Sequence, residues 1–135
     1  MPILPNGGGG YQIGTGNASE ARLTVQGAPT ALTAAATATA AQLVNGLFTF
    51  NGTAGNLTLP TVAELEAGIP NATRVDIAFD FHIINIDATT DDVTVAVAAG
   101  TGWTLVGDMV VTETVSGHFR ARKTGVGAWT LYRIA

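Results

Sequence analysis

The chain has 135 residues, 47% of them hydrophobic but only 12% charged and 7% aromatic, with a formal net charge of −4. That length favours one domain, which buries about two thirds of the surface its unfolded chain exposes. Five arginines and one lysine against ten carboxylates argue against a nucleic-acid partner, the lack of cysteine removes disulfides and thiolate metal sites, and no apolar run is long enough to span a bilayer.

The charged share is about half the usual value. A dispersed monomer ordinarily carries more charge than this, so part of the surface is expected to be covered by a partner.

Residues 1–20 hold Pro2, Pro5, the glycine run Gly7 to Gly10 and Gly14-Thr15-Gly16. This composition buries too little apolar area to offset ordering and predicts a flexible N-terminal arm. Ile3, Leu4, Tyr11 and Ile13 are apolar groups on that arm, and they are expected either to order on a partner or to belong to a plain tail. No basic region followed by an apolar stretch marks a secretory signal, so synthesis in the cytoplasm is expected.

Residues 21–135 are expected to form the folded domain. Ala21, Leu23 and Val25 alternate with Arg22, Thr24 and Gln26, which predicts a first strand ended by Gly27-Ala28-Pro29. Residues 31–44 are nearly all Ala and Thr. Their β-branched threonines and the Asn45-Gly46 turn favour strands, with a helix through Ala34 to Leu43 as the alternative. Leu47 to Phe50 then leads to Asn51-Gly52.

Thr61-Val62-Ala63-Glu64 has the pattern of a capping box, and Gly68 and Pro70 follow it, so one short helix is predicted there. Six strand patterns come next: Val75 to Asn85, Val93 to Ala98, Trp103 to Val106, Met109 to Val115, Gly117 to Lys123 and Trp129 to Ile134. In the first of these, Val75, Ile77, Phe79, Phe81 and Ile83 share the predicted core face. Asp76, Asp80 and His82 share the other.

The Asp76, Asp80, His82 row is the one constellation that resembles a metal or active site. Residues two apart on a strand lie about 6.5–7 Å apart, so Asp80 and His82 could share an ion, but a closed site needs more ligands. A solvated or inter-subunit polar face is the favoured reading. His118, Arg120 and Arg122 form a matching basic row, and the two rows are expected to pair if their strands share a sheet, preferably at an oligomer interface.

Gly10 to Gly16 lacks the strand, helix and Gly-Lys-Ser/Thr of a phosphate loop, and no Gly-x-Ser-x-Gly elbow occurs. No enzyme, catalytic residue, cofactor or metal is predicted. Trp103 and Trp129 lie in strand patterns and are read as core or interface anchors rather than sugar platforms.

The segments Leu57-Thr58-Leu59-Pro60-Thr61, Phe79-Asp80-Phe81-His82-Ile83-Ile84-Asn85, Gly102-Trp103-Thr104-Leu105-Val106-Gly107, Ser116 to Arg122 and Trp129 to Arg133 resemble a domain of tailed-bacteriophage structural proteins, found in capsid cement or decoration proteins and in fibre-like virion proteins. The resemblance covers roughly residues 56–134. It implies an all-β, jelly-roll-type β-sandwich that oligomerises on the outside of the virion, with a homotrimer favoured and a dimer possible. The implied partner is the major capsid protein, bound across subunit junctions. The alternatives are a receptor-binding or fibre-head module and a glycan-binding, lectin-like domain.

Overall fold

The structure is a computed structural model and describes residues 23–135. The expected arm, with Ile3, Leu4, Tyr11 and Ile13, therefore lies outside the described residues. So does the start of the expected first strand. Its remaining residues, Leu23 to Gln26, belong to no strand, and Leu23 and Val25 are 61% and 90% exposed. Alternation supplies a strand's side-chain spacing but not a ladder.

The Ala and Thr stretch divides between both expectations. β1 (Thr30–Leu32) and β2 (Ala36–Thr37) are strands, and α1 (Ala40–Asn45) is a helix. The described residues thus hold two helices where one was predicted. α1 forms despite its length because Thr39 and Gln42 cap each other: the Gln42 N–H donates to the Thr39 hydroxyl at 3.2 Å and the Thr39 N–H to Gln42 Oε1 at 3.0 Å. Gly46, at φ 83°, ends the helix in the left-handed conformation that glycine adopts without strain.

β3 (Leu47–Phe50) and β4 (Gly55–Thr58) follow, then α2 (Val62–Gly68). β4 was missed in the sequence, where it reads as a lead-in to the helix. α2 carries the predicted capping box between Thr61 and Glu64. The two helices are repeats of one pattern, since Thr39-Ala40-Ala41-Gln42-Leu43 matches Thr61-Val62-Ala63-Glu64-Leu65 and the buried residues correspond: Ala40 and Leu43 in one, Val62 and Leu65 in the other. The strands before them pair in register, Ala36 with Leu57 and Thr37 with Thr58. α1 and α2 approach so closely that a Cβ on Gly68 would lie 2.4 Å from that of Ala40.

The remaining strands are β5 (Ala78–Asn85), β6 (Val93–Ala96), β7 (Trp103–Val106), β8 (Val110–Val111), β9 (Ser116–Gly125) and β10 (Ala128–Arg133). β6 and β8 are shorter than predicted, and β9 is longer. β5 begins three residues late because Asp76 has a positive φ of 74°, which breaks the pleat. Val75, predicted for the core face, is consequently 52% exposed, whereas Phe81 and Ile83 are fully buried.

Two sheets enclose one core. The six-stranded sheet has the order β1-β3-β5-β9-β10-β7, and the four-stranded sheet β2-β4-β6-β8. Three times the chain places a strand in the first sheet and the next in the second, as β1 and β2, β3 and β4, β5 and β6, so that successive strands within each sheet run parallel. This is the winding of a solenoid. The chain then closes with antiparallel β5/β9, β9/β10 and β6/β8 ladders and the parallel β7/β10 ladder. The all-β, two-sheet architecture is therefore present. Jelly rolls are built from antiparallel Greek keys, whereas five of these eight ladders are parallel.

Phe48, Phe50, Phe81, Ile83, Phe119 and Leu131 from one sheet meet Leu57, Val93, Val95 and Val111 from the other in a single cluster. Among the described residues no helix is long and apolar enough to cross a membrane.

Candidate interface on the six-stranded sheet

Every second residue of β5, β9 and β10 faces away from the core, and strand register sorts these residues into rows. Asp80 lies opposite Arg120, which lies opposite Tyr132, which lies opposite Val106. The adjacent row runs Ala78, Arg122, Thr130 and Thr104. On the other side of Asp80 the row is Leu47, His82 and His118, then Thr49, Ile84 and Ser116. The result is a broad face of polar, small and some large apolar side chains, Ile84 and Val106 among them, with charge at its centre.

The predicted acidic and basic rows do meet. Arg120 grips Asp80 with two donors, Nε to Oδ1 at 2.7 Å and Nη2 to Oδ2 at 2.9 Å. His118 Nε2 approaches Asp80 Oδ2 at 2.7 Å, and its ring stacks on that of His82 with centroids 4.3 Å apart. Arg120 most of all, with His118 adding less, holds the Asp80 carboxyl down at about 2, against an opposing effect of burial that ranks between the two. Arg122 donates to Asp76 Oδ1 from Nη2 at 2.9 Å and to the Tyr132 hydroxyl from Nη1 at 3.0 Å. Both partners raise its affinity for its proton, Tyr132 more than Asp76.

These pairs form within one subunit, so no symmetry mate is needed to satisfy them. They are also partly wet, with Arg120 and Asp80 48% and 32% exposed and Arg122 and Asp76 40% and 69% exposed. Asp80 and His82 do not converge on a shared ion position. Both Asp80 oxygens are occupied by Arg120 and His118, and among the described residues no group of three or more potential ligands is placed to hold a metal.

A second polar cluster, not predicted from the sequence, lies on the core side. Lys123, the only lysine, is buried and donates to Glu66 Oε1 at 2.6 Å and to the Ala72 carbonyl at 3.1 Å. Trp129 Nε1 donates to the same Glu66 oxygen at 3.0 Å. Lys123, then Trp129, depress the Glu66 pKa below the usual carboxylate range. The signal was available: Lys123 is in phase with inward-facing Phe119 and Ala121, and a lysine in that phase needs a buried partner.

Asn85, also buried, donates to the carbonyls of Asp91 and Val111 and accepts from the Asp87 N–H, which shapes the acidic loop between β5 and β6. Asp87 in turn accepts from the backbone and hydroxyl of Thr89, and these bonds lower its pKa. Asp91 accepts from the Ala54 N–H and the Thr89 hydroxyl, so it and Asp87 hold the loop, whereas Asp92 Oδ1 is buried with no hydrogen-bond partner among the described residues.

A cleft of about 370 Å³ beside the outer face is walled by Val44, Ile77, Phe79 and Trp129 and has no titratable side chain in its lining. Trp129 is buried, and Trp103 spends its indole N–H on the Pro60 carbonyl at 2.8 Å. Both therefore act as core anchors. No protein-family model, curated protein or solved structure matches the chain.

Proposed function

We propose that this protein is a non-catalytic structural component of a phage virion, a capsid cement or decoration protein that binds the outer surface of the head across junctions between major capsid subunits. The observation that carries the reading is the outer face of the six-stranded sheet. Its central charges are already paired with one another, and the side chains around them are mostly uncharged, among them the exposed Ile84 and Val106. Such a face suits burial against another protein surface, where paired charges cost less to desolvate than lone ones. Specific interfaces bury about 1,200–2,000 Å², and repeated copies on a lattice add avidity.

The resemblance of residues 56–134 to phage structural proteins supports the same class, and the low charge supports a covered surface. The fibre-head and lectin-like alternatives receive less support, because the two tryptophans that would offer sugar a stacking platform are committed to the core. The test is copy number and position in purified particles, by quantitative gel analysis and electron-microscopy reconstruction. Cement predicts copies comparable in number to the capsid subunits and density over their junctions. A few copies at a vertex or tail tip would instead assign a fibre head, and absence from particles would reject the virion reading.

A further inference from the structure

The first coil of the winding, β1 with β2, ends both sheets, since each is an edge strand. The Asn51 N–H donates to the Leu32 carbonyl at 2.9 Å, so Leu32 and Thr30 direct their peptide groups toward β3. Ala31 therefore points its N–H and C=O away from β3, at an edge that no other described residue pairs. The exposed side chains around that edge are Ala31, Thr33, Ala34, Ala35 and Thr37. Native edges are ordinarily guarded by charge, proline within the strand, a bulge or a cover. Here Pro29 stands before the strand and not in it, and no charged residue occurs between Arg22 and Glu64.

Immediately upstream, Leu23-Thr24-Val25-Gln26 has the alternation of a strand and joins none. Its course is fixed at the end of α1: Gln26 Nε2 donates to the Asn45 carbonyl at 2.7 Å, and Asn45 Nδ2 donates to the Ala28 carbonyl at 2.9 Å. This clamp holds the segment beside the helix end. Among the described residues one chain thus carries both a strand sequence that pairs with nothing and an edge that this sequence does not cover.

We propose that Leu23–Gln26 of one subunit adds as a strand to the open β1 edge of a second copy, giving a strand-exchanged oligomer. The contact is heterologous, so every subunit donates and receives, and a closed ring leaves no β1 edge uncovered. Absence of charge on both elements favours a second copy, because two chains of net charge −4 meet there without like-charge repulsion. The inference rests on the homo-oligomeric part of the reading above and is independent of capsid binding.

The chain has no cysteine, so paired cysteines report the contact cleanly. Purified Val25→Cys and Ala31→Cys variants are mixed, exchanged and mildly oxidised. A disulfide-linked heterodimer several-fold more abundant in the mixture than either homodimer is expected on a non-reducing gel. Ala31→Lys, which sets a guard on the edge, is expected to shift the native mass by light scattering to that of the monomer while leaving the thermal midpoint of the monomeric fold in place. An oligomeric wild type with no heterodimer cross-link, or an Ala31→Lys variant of unchanged mass, overturns strand exchange and leaves the oligomeric reading standing. A wild type that is monomeric at micromolar concentration overturns both.

Discussion

The stretch from β1 to α2 and the group formed by β5, β9 and β10 hold themselves together by different means. From β1 to β4 no side chain is ionisable, every ladder is parallel, and the two helices are fixed by Thr-to-Gln and Thr-to-Glu caps. In β5, β9 and β10 the ladders joining the three strands are antiparallel and the outward rows carry opposite charges in register. The wound part relies on backbone pairing, close approach of small residues and helix caps. The antiparallel part adds cross-strand side-chain pairs, which need residues placed directly opposite one another. β5 belongs to both, parallel to β3 on one side and antiparallel to β9 on the other.

The most damaging way to separate the two parts is to empty their junction. Phe81 on β5 stacks against Phe119 with centroids 5.3 Å apart and meets Phe48 edge-on at 6.0 Å. Phe81→Ala is expected to cost about 3–5 kcal/mol, read from the denaturant midpoint. It should also broaden the transition if the halves then melt separately.

Glu66→Ala removes the acceptor that ties α2 to β9 and β10, leaving the Lys123 ammonium without a counter-charge, bonded to the Ala72 carbonyl alone, and the Trp129 N–H without its acceptor. A loss of about 3 kcal/mol is expected, near the low end for a broken buried ion pair because Glu66 is partly exposed. Glu66→Gln keeps an acceptor and should cost less.

Acid should act on the same contacts. The Glu66 and Asp80 carboxyls both hold their protons more weakly in the fold than in the unfolded chain, where they titrate near 4. Their stabilisation is therefore complete above that value and is lost as pH falls toward about 2, the folded value of Asp80. Thermal melts across this window should show a falling midpoint, and a Glu66→Gln, Asp80→Asn double variant should show a shallower fall.

The equivalence of the two helical repeats is tested by Thr39→Ala and Thr61→Ala, each expected to cost about 1 kcal/mol. A large inequality would show that the matching pattern conceals different roles. The smallest effect is expected at Asp76→Ala, below about 1 kcal/mol, because its pair with Arg122 is exposed.

Local signals in the sequence carried the strands with strong alternation and the capped helix. Phe79, Phe81 and Ile83 forecast the core face of β5, Trp103 to Val106 matches β7, and Thr61 with Glu64 marks α2. The same capping signal stood at Thr39 and Gln42, but alanines and threonines around it gave no periodicity, and the match between the two segments was the missing clue. Parallel pairing was not legible because nothing local records which distant strand lies alongside, and the winding it builds does not confirm the jelly-roll topology that the resemblance implied. The outer face was legible in part: alternation grouped Asp80 and Arg120 correctly, and register alone brought them opposite. The Glu66 and Lys123 pair depends on where a helix lands, which strand phase by itself does not specify.

The burial of Lys123 makes it a chemical reporter of opening. It supplies the only side-chain amine in the chain, and in the fold that amine is held between Glu66 and the Ala72 carbonyl. Acylation by an amine-directed reagent at this side chain requires α2 to lift from β9 and β10. Its labelling rate, followed by peptide mass, therefore measures the population in which that contact is open. A partner that covers the distant sheet face would leave the rate unchanged, whereas one that grips α2 would slow it.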